Sequence, residues 1–261
     1  MAETTQPILE LSSVVKSFGG VHAVQDCSFS VQAGSLTGLI GPNGAGKSTT
    51  VDLVSGFKSV DSGTITFNGR QVQNQAPHVV SRLGLMRTFQ TPREWPRLTT
   101  LENLLVAAVD DRRESLRVAL FGRRELATAD ASARADARRI LDEFSLIAVK
   151  NELAGNLSGG QKRLLEFGRI MMARPKLVFL DEPQSGVNPV LGDRMGEAIK
   201  HLVASGITVV MVEHNLAFVE RLCDPVIVMA LGRPIATGTM AALRKDPAVL
   251  DAYLGEVTPH V

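Results

Sequence analysis

The alternation of apolar and polar side chains predicts two kinds of strand in this chain. Ile8 to Phe18 and Ala23 to Val31 alternate loosely, as expected for strands of an antiparallel edge sheet. Gly63 to Arg70, with a turn at Asn68-Gly69, is predicted to be another edge strand. Continuous apolar runs are instead typical of parallel strands that are buried on both faces. These runs are Leu36 to Ile40, Leu177 to Leu180, Thr208 to Val212 and Val226 to Met229.

The middle of the chain has helical periodicity, and we expect an inserted all-helical lobe there. It extends from Leu98 to Leu146, and its segment Arg123 to Arg139 is rich in alanine, arginine and acids. A basic patch for nucleic acid is one interpretation of the arginines. Because Glu125, Asp130 and Asp136 are interleaved with them, a solvated helix face is favoured.

The two ends of the chain carry no predicted targeting or membrane segment. Met1 to Leu11 has acidic and polar residues where a secretory signal needs a basic start and an apolar run. Apolar runs such as Val226 to Leu231 are much shorter than the about 18 residues of a membrane helix. The tail is expected to form a helix at Thr239 to Arg244, followed by the segment Asp246 to Gly255.

Composition narrows the class of protein without identifying it. A chain of 261 residues with 44% hydrophobic residues is long enough for one large α/β domain with a smaller inserted subdomain. The 28 basic and 27 acidic residues give a net charge of +1, which disfavours nucleic acid as a partner. Cys27 and Cys223 are far apart, so we expect neither a disulfide framework nor a zinc site, and a reducing cytoplasm fits.

A glycine-rich loop follows the strand at Leu36 to Ile40 and precedes a helix-competent stretch. Its glycines let backbone N–H groups converge on phosphates, and the helix N-terminus adds partial positive charge. In such a loop Lys47 reaches the β and γ phosphates and the Ser48 hydroxyl ligates Mg²⁺. A chance match in a glycine-rich loop is the alternative, and the strand–loop–helix context argues against it. The residues with this Walker A spacing are Gly41, Pro42, Asn43, Gly44, Ala45, Gly46, Lys47 and Ser48, followed by Thr49.

Two carboxylates follow the apolar run Leu177 to Leu180. At the tip of a strand beside the phosphate loop, Asp181 can hold Mg²⁺ directly or through water. Glu182 is then placed to polarise the attacking water as a general base. Two acids after a strand are more often only a solvated loop, but the upstream phosphate loop favours the catalytic interpretation.

The motif Leu157-Ser158-Gly159-Gly160-Gln161 stands shortly before that strand, at the predicted start of a helix. With the motifs above, it resembles the ABC transporter ATPase family, whose signature reads LSGGQ, over essentially the whole chain. The resemblance implies that Ser158, Gly159, Gly160 and Gln161 face the γ-phosphate bound by a second subunit, as a helix N-terminus aimed at an anion. A plain helix cap is the alternative for these residues.

The resemblance also implies a fold. It is an α/β P-loop NTPase (RecA-like) core with a parallel central sheet, an antiparallel β edge subdomain and an inserted α-helical subdomain. The single domain 1–261 would comprise a core with the β edge at 1–90 and 166–238, a helical subdomain with the signature at 91–165, and a helical tail at 239–261.

Four further positions correspond to positions of the family pattern, and two of them carry a residue other than the usual one. Phe18 stands where an aromatic residue, usually tyrosine, stacks on adenine, although it could be an ordinary packed strand residue. Gln90 resembles the residue that touches Mg²⁺ or water and couples to the permease. Asn188 replaces the commoner aspartate of a loop that contacts the second subunit. His214 resembles the histidine that contacts the γ-phosphate and orients Glu182.

One phosphate loop and one signature in the chain imply head-to-tail pairing of two ATPase subunits, with each ATP between them. The second subunit would be another copy or a sister chain. The resemblance further implies membrane permease subunits that sense closure through the Gln90 loop and the helical lobe, and an extracytoplasmic solute-binding protein. The chain would then lie peripherally on the cytoplasmic side of the inner membrane, with ATP and Mg²⁺ as its ligands.

Within the family, three stretches look like the branched-chain amino acid importers. They are Arg87 to Gln90, Leu98 to Ala107 and Asp246 to Glu256. The insertion at Leu120 to Arg124 resembles the larger of that system's two ATPases. A lipopolysaccharide-export ATPase shares a similar tail but lacks an equally long insertion. Trp95 lies in a departure from the pattern, where it is either a partner anchor or an ordinary loop residue.

Rival classes fit the sequence less well. Soluble ABC proteins of translation or DNA repair resemble tandem or coiled-coil-interrupted forms, which this chain is not. A small-molecule P-loop kinase would not need the signature motif or His214. A non-hydrolytic regulatory module should lack Glu182 or His214, and this chain has both.

Overall fold

The computed structural model describes residues 6–88, 94–108, 123–185, 187 and 189–254. They divide into two compact units. The first unit is drawn from 1–90, 176–185 and 206–261, and the second from 91–175 and 186–205.

The first unit contains a four-stranded antiparallel sheet in the order β2-β1-β4-β5. Its strands are β1 (Leu9–Phe18), β2 (Val21–Val31), β4 (Ser62–Phe67) and β5 (Arg70–Gln71). The turn between β4 and β5 is Asn68-Gly69, where both residues have positive φ. β1, β2 and β4 are the edge strands that the alternating pattern predicts, and β5 is an additional short strand.

A six-stranded sheet forms the centre of the same unit, in the order β10-β9-β3-β8-β7-β6. All neighbours are parallel except β10, which pairs antiparallel with β9. Every residue of β3, β7, β8 and β9 is buried, as the continuous apolar runs predict. The strands are β3 (Leu36–Ile40), β6 (Leu85–Arg87), β7 (Leu177–Asp181), β8 (Thr208–Val212), β9 (Val226–Ala230) and β10 (Arg233–Gly238).

One hydrophobic core joins the two sheets of this unit through the helix that follows β3. Phe67 comes from the smaller sheet, Phe179 from the larger one and Leu53 from the helix, and all three are fully buried. Burying such a side chain contributes about 2 kcal/mol each. The helices of the unit are α1 (Lys47–Val54), α2 (Pro77–Arg82), α7 (Leu216–Leu222), α8 (Met240–Leu243) and α9 (Pro247–Leu254).

The regular elements described in the second unit are helices, and those between Leu98 and Leu146 are the ones that the periodicity predicts. Gly168 allows the helix that carries it to pack closely, because a Cβ there would lie 3.0 Å from Leu104 and 3.1 Å from Ile140. Two 3₁₀ turns, Ile147–Val149 and Ala154–Asn156, precede that helix. The helices are α3 (Thr100–Ala107), α4 (Arg123–Glu143), α5 (Gly159–Ala173) and α6 (Pro189–Ala204). No helix in the described ranges has both the length and the apolar character to cross a membrane.

Both cysteines are free and buried. Burial raises the pKa of the Cys27 thiol to about 12, and burial with the nearby Glu213 charge raises the pKa of Cys223 to about 12 as well. Since the thiolate is the nucleophilic form, neither thiol is activated at neutral pH.

Candidate functional site

The glycine-rich loop leaves the carboxyl end of β3 and turns directly into α1. Gly41 has φ of 148°, and a Cβ there would lie 2.0 Å from the Met229 carbonyl oxygen. Gly46, with φ of 95°, would place a Cβ 2.5 Å from the Ala23 carbonyl oxygen. Because neighbouring backbone passes so close, these two positions accept only glycine. The loop is thereby held between β9 and β2.

Lys47 is the first residue of α1, and its ammonium group folds back over the loop. The Nζ atom donates to the carbonyl oxygens of Gly41 at 2.7 Å and Pro42 at 2.9 Å. The Ser48 side chain follows at the exposed surface of the first turn. An ammonium group, a glycine-rich backbone and a helix N-terminus together form an environment suited to a phosphate chain.

Phe18 ends β1, and the hairpin of β1 and β2 contacts the loop at Ala23. The ring is 42% exposed and therefore lies outside the buried core. The ammonium groups of Lys16 and Lys58 lie 5.3 Å and 5.2 Å from the ring centroid. Cations at this distance are attracted to the ring face, so Phe18 is flanked by positive charge.

The Asp181 carboxylate ends β7 within a network of charges. Arg87 donates to it from Nη2 at 3.1 Å and also pairs with Asp52 of α1 through Nη1. Lys58 pairs with Asp52 at 2.7 Å. Burial alone would raise the pKa of the Asp52 carboxyl, but the hydrogen bonds from Lys58 and Arg87 outweigh it and hold that pKa below its ordinary value. Asp52 is therefore ionised at neutral pH.

Glu182 has a left-handed backbone conformation that a non-glycine residue seldom adopts. Its φ is 44°, and its N–H donates to the Val212 carbonyl oxygen at 2.9 Å. Such conformations cost about 1–3 kcal/mol and cluster at functional sites. The turn brings Glu182 Oε1 to 3.7 Å from His214 Nδ1, so the two predicted catalytic side chains are adjacent.

Glu213 is a buried carboxylate that sequence reasoning did not single out. Its Oε1 accepts from the Gln184 N–H at 3.0 Å, and its Oε2 accepts from the His214 N–H at 3.2 Å. Burial raises the pKa of Glu213, and the backbone donors oppose that effect. Asn215 Nδ2 donates to Gln184 Oε1 at 2.9 Å. These bonds join the loop after Glu182 to the loop that carries His214. The sequence did contain a signal for this role, because Glu213 directly follows a buried strand.

The signature residues form the N-terminus of α5. Ser158 is the N-cap: its Oγ accepts from the Gln161 N–H at 3.3 Å, and its N–H donates to Gln161 Oε1 at 2.9 Å. A Cβ on Gly159 would meet nothing within 4 Å, whereas one on Gly160 would lie 2.5 Å from Leu191. The helix cap is thus real, and the contact of this N-terminus with a phosphate remains a prediction.

For three positions that the sequence singled out, the structure gives, among the residues it describes, no contact with the phosphate loop or with Glu182. Gln90 and Asn188 lie outside those residues. Trp95 is partly exposed, and its backbone makes two hydrogen bonds with the Asn103 side chain. The Trp95 N–H donates to Asn103 Oδ1 at 2.9 Å, and Asn103 Nδ2 donates to the Trp95 carbonyl oxygen at 3.1 Å. The Arg169 guanidinium lies 4.1 Å from the Trp95 ring centroid. This fixes the ring without identifying a partner for it.

The donor chemistry fits Mg²⁺ bound together with a nucleotide. In the part of the chain that the structure describes, no group of three or more histidine, cysteine or acidic residues could hold a metal by itself. Mg²⁺ is usually held by one or two carboxylates and substrate phosphates, rather than by an all-protein cage. The hydroxyl of Ser48 and the carboxylate of Asp181 are the hard oxygen donors that such an ion prefers.

Comparison with known protein families gives two matches. Residues 24–185 match the ABC transporter family, and residues 233–258 match the family of the branched-chain amino acid ATP-binding cassette transporter. The first match covers more than half of the chain.

Similar proteins and structures agree with these matches. The chain is 40% identical to a probable branched-chain amino acid transport ATP-binding protein LivG of Archaeoglobus fulgidus, over 95% of both chains. It is 36% identical to the high-affinity branched-chain amino acid transport ATP-binding protein BraF of Pseudomonas aeruginosa, over 97% of this chain and 99% of that one. A crystal structure of the ADP conformation of an ATP-binding cassette of an ABC transporter matches with a TM-score of 0.79 and 35% sequence identity. The match covers 96% of this chain and 100% of that one.

These likenesses confirm the family resemblance and the fold that the motifs predict. They also confirm the predicted capacity to bind a nucleotide. The chain belongs to the ABC transporter family, as an ATP-binding subunit that hydrolyses ATP.

Proposed function

We propose that this ATPase powers a membrane permease that imports branched-chain amino acids. The observation that carries the proposal is the match of residues 233–258 to the branched-chain amino acid cassette family. The relatives that are similar over nearly the full length bear names of the same transport system. A lipopolysaccharide-export ATPase is not favoured, although its tail is similar.

In this proposal the phosphate loop, from Gly41 to Thr49, binds the triphosphate of ATP. Lys47 neutralises the β and γ phosphates, and the Phe18 ring supports the adenine. The ammonium groups of Lys16 and Lys58 lie near the ring, and they are paired with Asp61 and Asp52. Ser48, Asp181 and Gln90 hold Mg²⁺, which would neutralise charge on the phosphate oxygens when bound.

Hydrolysis in this proposal depends on the pair of Glu182 and His214. Glu182 accepts a proton from the water that attacks the γ-phosphate. His214, whose side chain is 66% exposed, contacts the γ-phosphate and holds Glu182 in position. The buried carboxylate of Glu213 supports both loops through their backbone N–H groups. Phosphoryl transfer needs mainly positioning and charge stabilisation, so these groups suffice without a covalent intermediate.

The second half of the ATP site comes from another subunit. Ser158, Gly159, Gly160 and Gln161 of that subunit face the γ-phosphate, and Asn188 contributes across the same boundary. The exposed cap and the open space at Gly159 support this role, because they leave the N-terminus of α5 accessible to an anion. The second subunit is another copy of this chain or a sister ATPase.

Replacing Ser158 with arginine should test the shared site. The bulky cation would occupy the space of the γ-phosphate, and we expect ATP hydrolysis to fall about a hundredfold and to lose its cooperative dependence on protein concentration. Steady-state ATPase assays over a range of protein concentrations measure both effects. Ser158→Thr, which keeps the hydroxyl and the cap, is the matched control. Unchanged cooperative hydrolysis in Ser158→Arg would show that the site is not shared.

The other proposed partners are two permease subunits and an extracytoplasmic solute-binding protein, with this chain on the cytoplasmic side of the membrane. The test is to purify the complete complex, reconstitute it in lipid vesicles and measure ATPase activity with candidate solutes. Leucine presented with the binding protein should stimulate hydrolysis and accumulate inside the vesicles. Stimulation by lipopolysaccharide and not by leucine would refute the proposed substrate class.

A further inference from the structure

Arg87 joins two elements that carry proposed Mg²⁺ ligands. Asp52 lies four residues after Ser48 on α1, so the two side chains share one face of the helix. The Arg87 guanidinium donates to Asp52 from Nη1 and to Asp181 from Nη2 at 3.1 Å. One side chain therefore links Asp181 to the helix face that presents Ser48.

The link is sheltered from solvent. The side chains of Arg87, Asp52 and Asp181 are 12%, 18% and 9% exposed. Ion pairs with this degree of burial are screened less than surface pairs. The planar guanidinium presents its donors at fixed angles, so binding one carboxylate on each Nη atom fixes their relative orientation. Lys58, bonded to Asp52 at 2.7 Å, balances the charge of the group.

The backbone of Arg87 is itself fixed to the strand that ends in Asp181. Arg87 lies opposite Phe179 in the parallel register of β6 and β7. The Thr88 N–H donates to the Phe179 carbonyl oxygen at 2.9 Å, and the Asp181 N–H donates to Thr88 Oγ1 at 3.1 Å. The guanidinium thus has little freedom to move relative to the carboxylate that it contacts.

We propose that Arg87 is a positioning residue that orients the Asp181 carboxylate, and through Asp52 the Ser48 face of α1, for the Mg²⁺ of the bound nucleotide. The inference rests on the proposed role of Asp181 as a ligand. The Arg87 hydrogen bond engages Oδ2 of Asp181. Hydrogen bonds to ligating carboxylates are a general means of holding a metal site in shape.

Binding of Mn²⁺ to the ADP-loaded full chain tests this inference, with the electron paramagnetic resonance signal of free Mn²⁺ as the readout. Removal of a neighbouring positive charge, considered alone, would strengthen metal binding. Loss of positioning would weaken it, so the two effects have opposite signs. We expect Arg87→Gln to bind Mn²⁺ about tenfold more weakly. Arg87→Lys keeps the charge but lacks the second nitrogen that contacts the other carboxylate, so it should also bind Mn²⁺ more weakly. Mn²⁺ affinity in Arg87→Gln equal to or above that of the native chain would overturn the inference.

Three further variants make the result specific. Arg70→Gln removes an exposed arginine of the same unit and should keep native Mn²⁺ affinity. Asp52→Asn leaves Arg87 and Asp181 in place and should also weaken Mn²⁺ binding, which keeps the inference testable if Arg87→Gln fails to fold. Asp181→Asn tests the proposed role of Asp181 as a ligand: unchanged Mn²⁺ affinity there would refute that role and the inference with it. Weak binding in Asp181→Asn with native binding in Arg87→Gln would refute the inference alone.

Discussion

The Glu182→Gln variant should bind ATP, form a stable dimer and hydrolyse the nucleotide about 10²–10⁴-fold more slowly than the native chain. The amide keeps the size of the side chain but cannot accept the proton of the attacking water. ATP would then remain between the two subunits instead of being converted and released. Size-exclusion chromatography with ATP, together with single-turnover hydrolysis, measures both effects.

A glutamate-to-glutamine change outside the site serves as the matched control. Glu197→Gln alters an exposed glutamate of α6 and should leave both dimerisation and hydrolysis unchanged. Because Gln has the same backbone preferences as Glu to a good approximation, the φ of 44° at residue 182 should survive the substitution. If Glu182→Gln hydrolysed ATP at the native rate, another group would have to be the base.

The Lys47→Ala variant should lose about a hundredfold in affinity for ATP, which corresponds to about 2.7 kcal/mol. Its ammonium group already lies over the loop, bonded to two loop carbonyls, and charge-assisted bonds to phosphate are among the stronger ones. Equilibrium binding of a fluorescent ATP analogue gives the dissociation constant.

Lys245→Ala, which removes an exposed lysine after α8, is the control for the change in net charge. It should bind ATP as the native chain does. Native affinity in Lys47→Ala would mean that the loop binds the phosphates through its backbone alone, and the proposed role of Lys47 would be wrong.

The strands that hold the site were predictable from the sequence because their burial leaves a direct signature. A strand covered on both faces is predominantly apolar, so the runs ending at Ile40 and Val212 could be recognised without a structure. The phosphate loop was predictable for a different reason. Its two constrained glycines lie against the backbone of other strands, where a side chain has no space.

Short and polar elements were not predictable. β6 has three residues and β10 carries a mixture of exposed and intermediate positions, so neither has a periodic pattern long enough to recognise. The network around Arg87 depends on β6 pairing with β7, whose partner residues are about ninety positions away in the sequence. Contacts of that kind follow from the order of strands in the sheet and not from local spacing.

The subdomain boundaries at residues 90, 165 and 238 stay a prediction.

The capping hydroxyl of Ser158 bears on how the signature could meet a nucleotide. A hydroxyl has one hydrogen to donate and two lone pairs, and the bond from the Gln161 N–H uses only a lone pair. Helix initiation and anion recognition therefore draw on different parts of the same group and do not compete. An arriving γ-phosphate would meet a donor whose orientation is already set by the folded helix, so little rotational freedom would remain to be lost on closure.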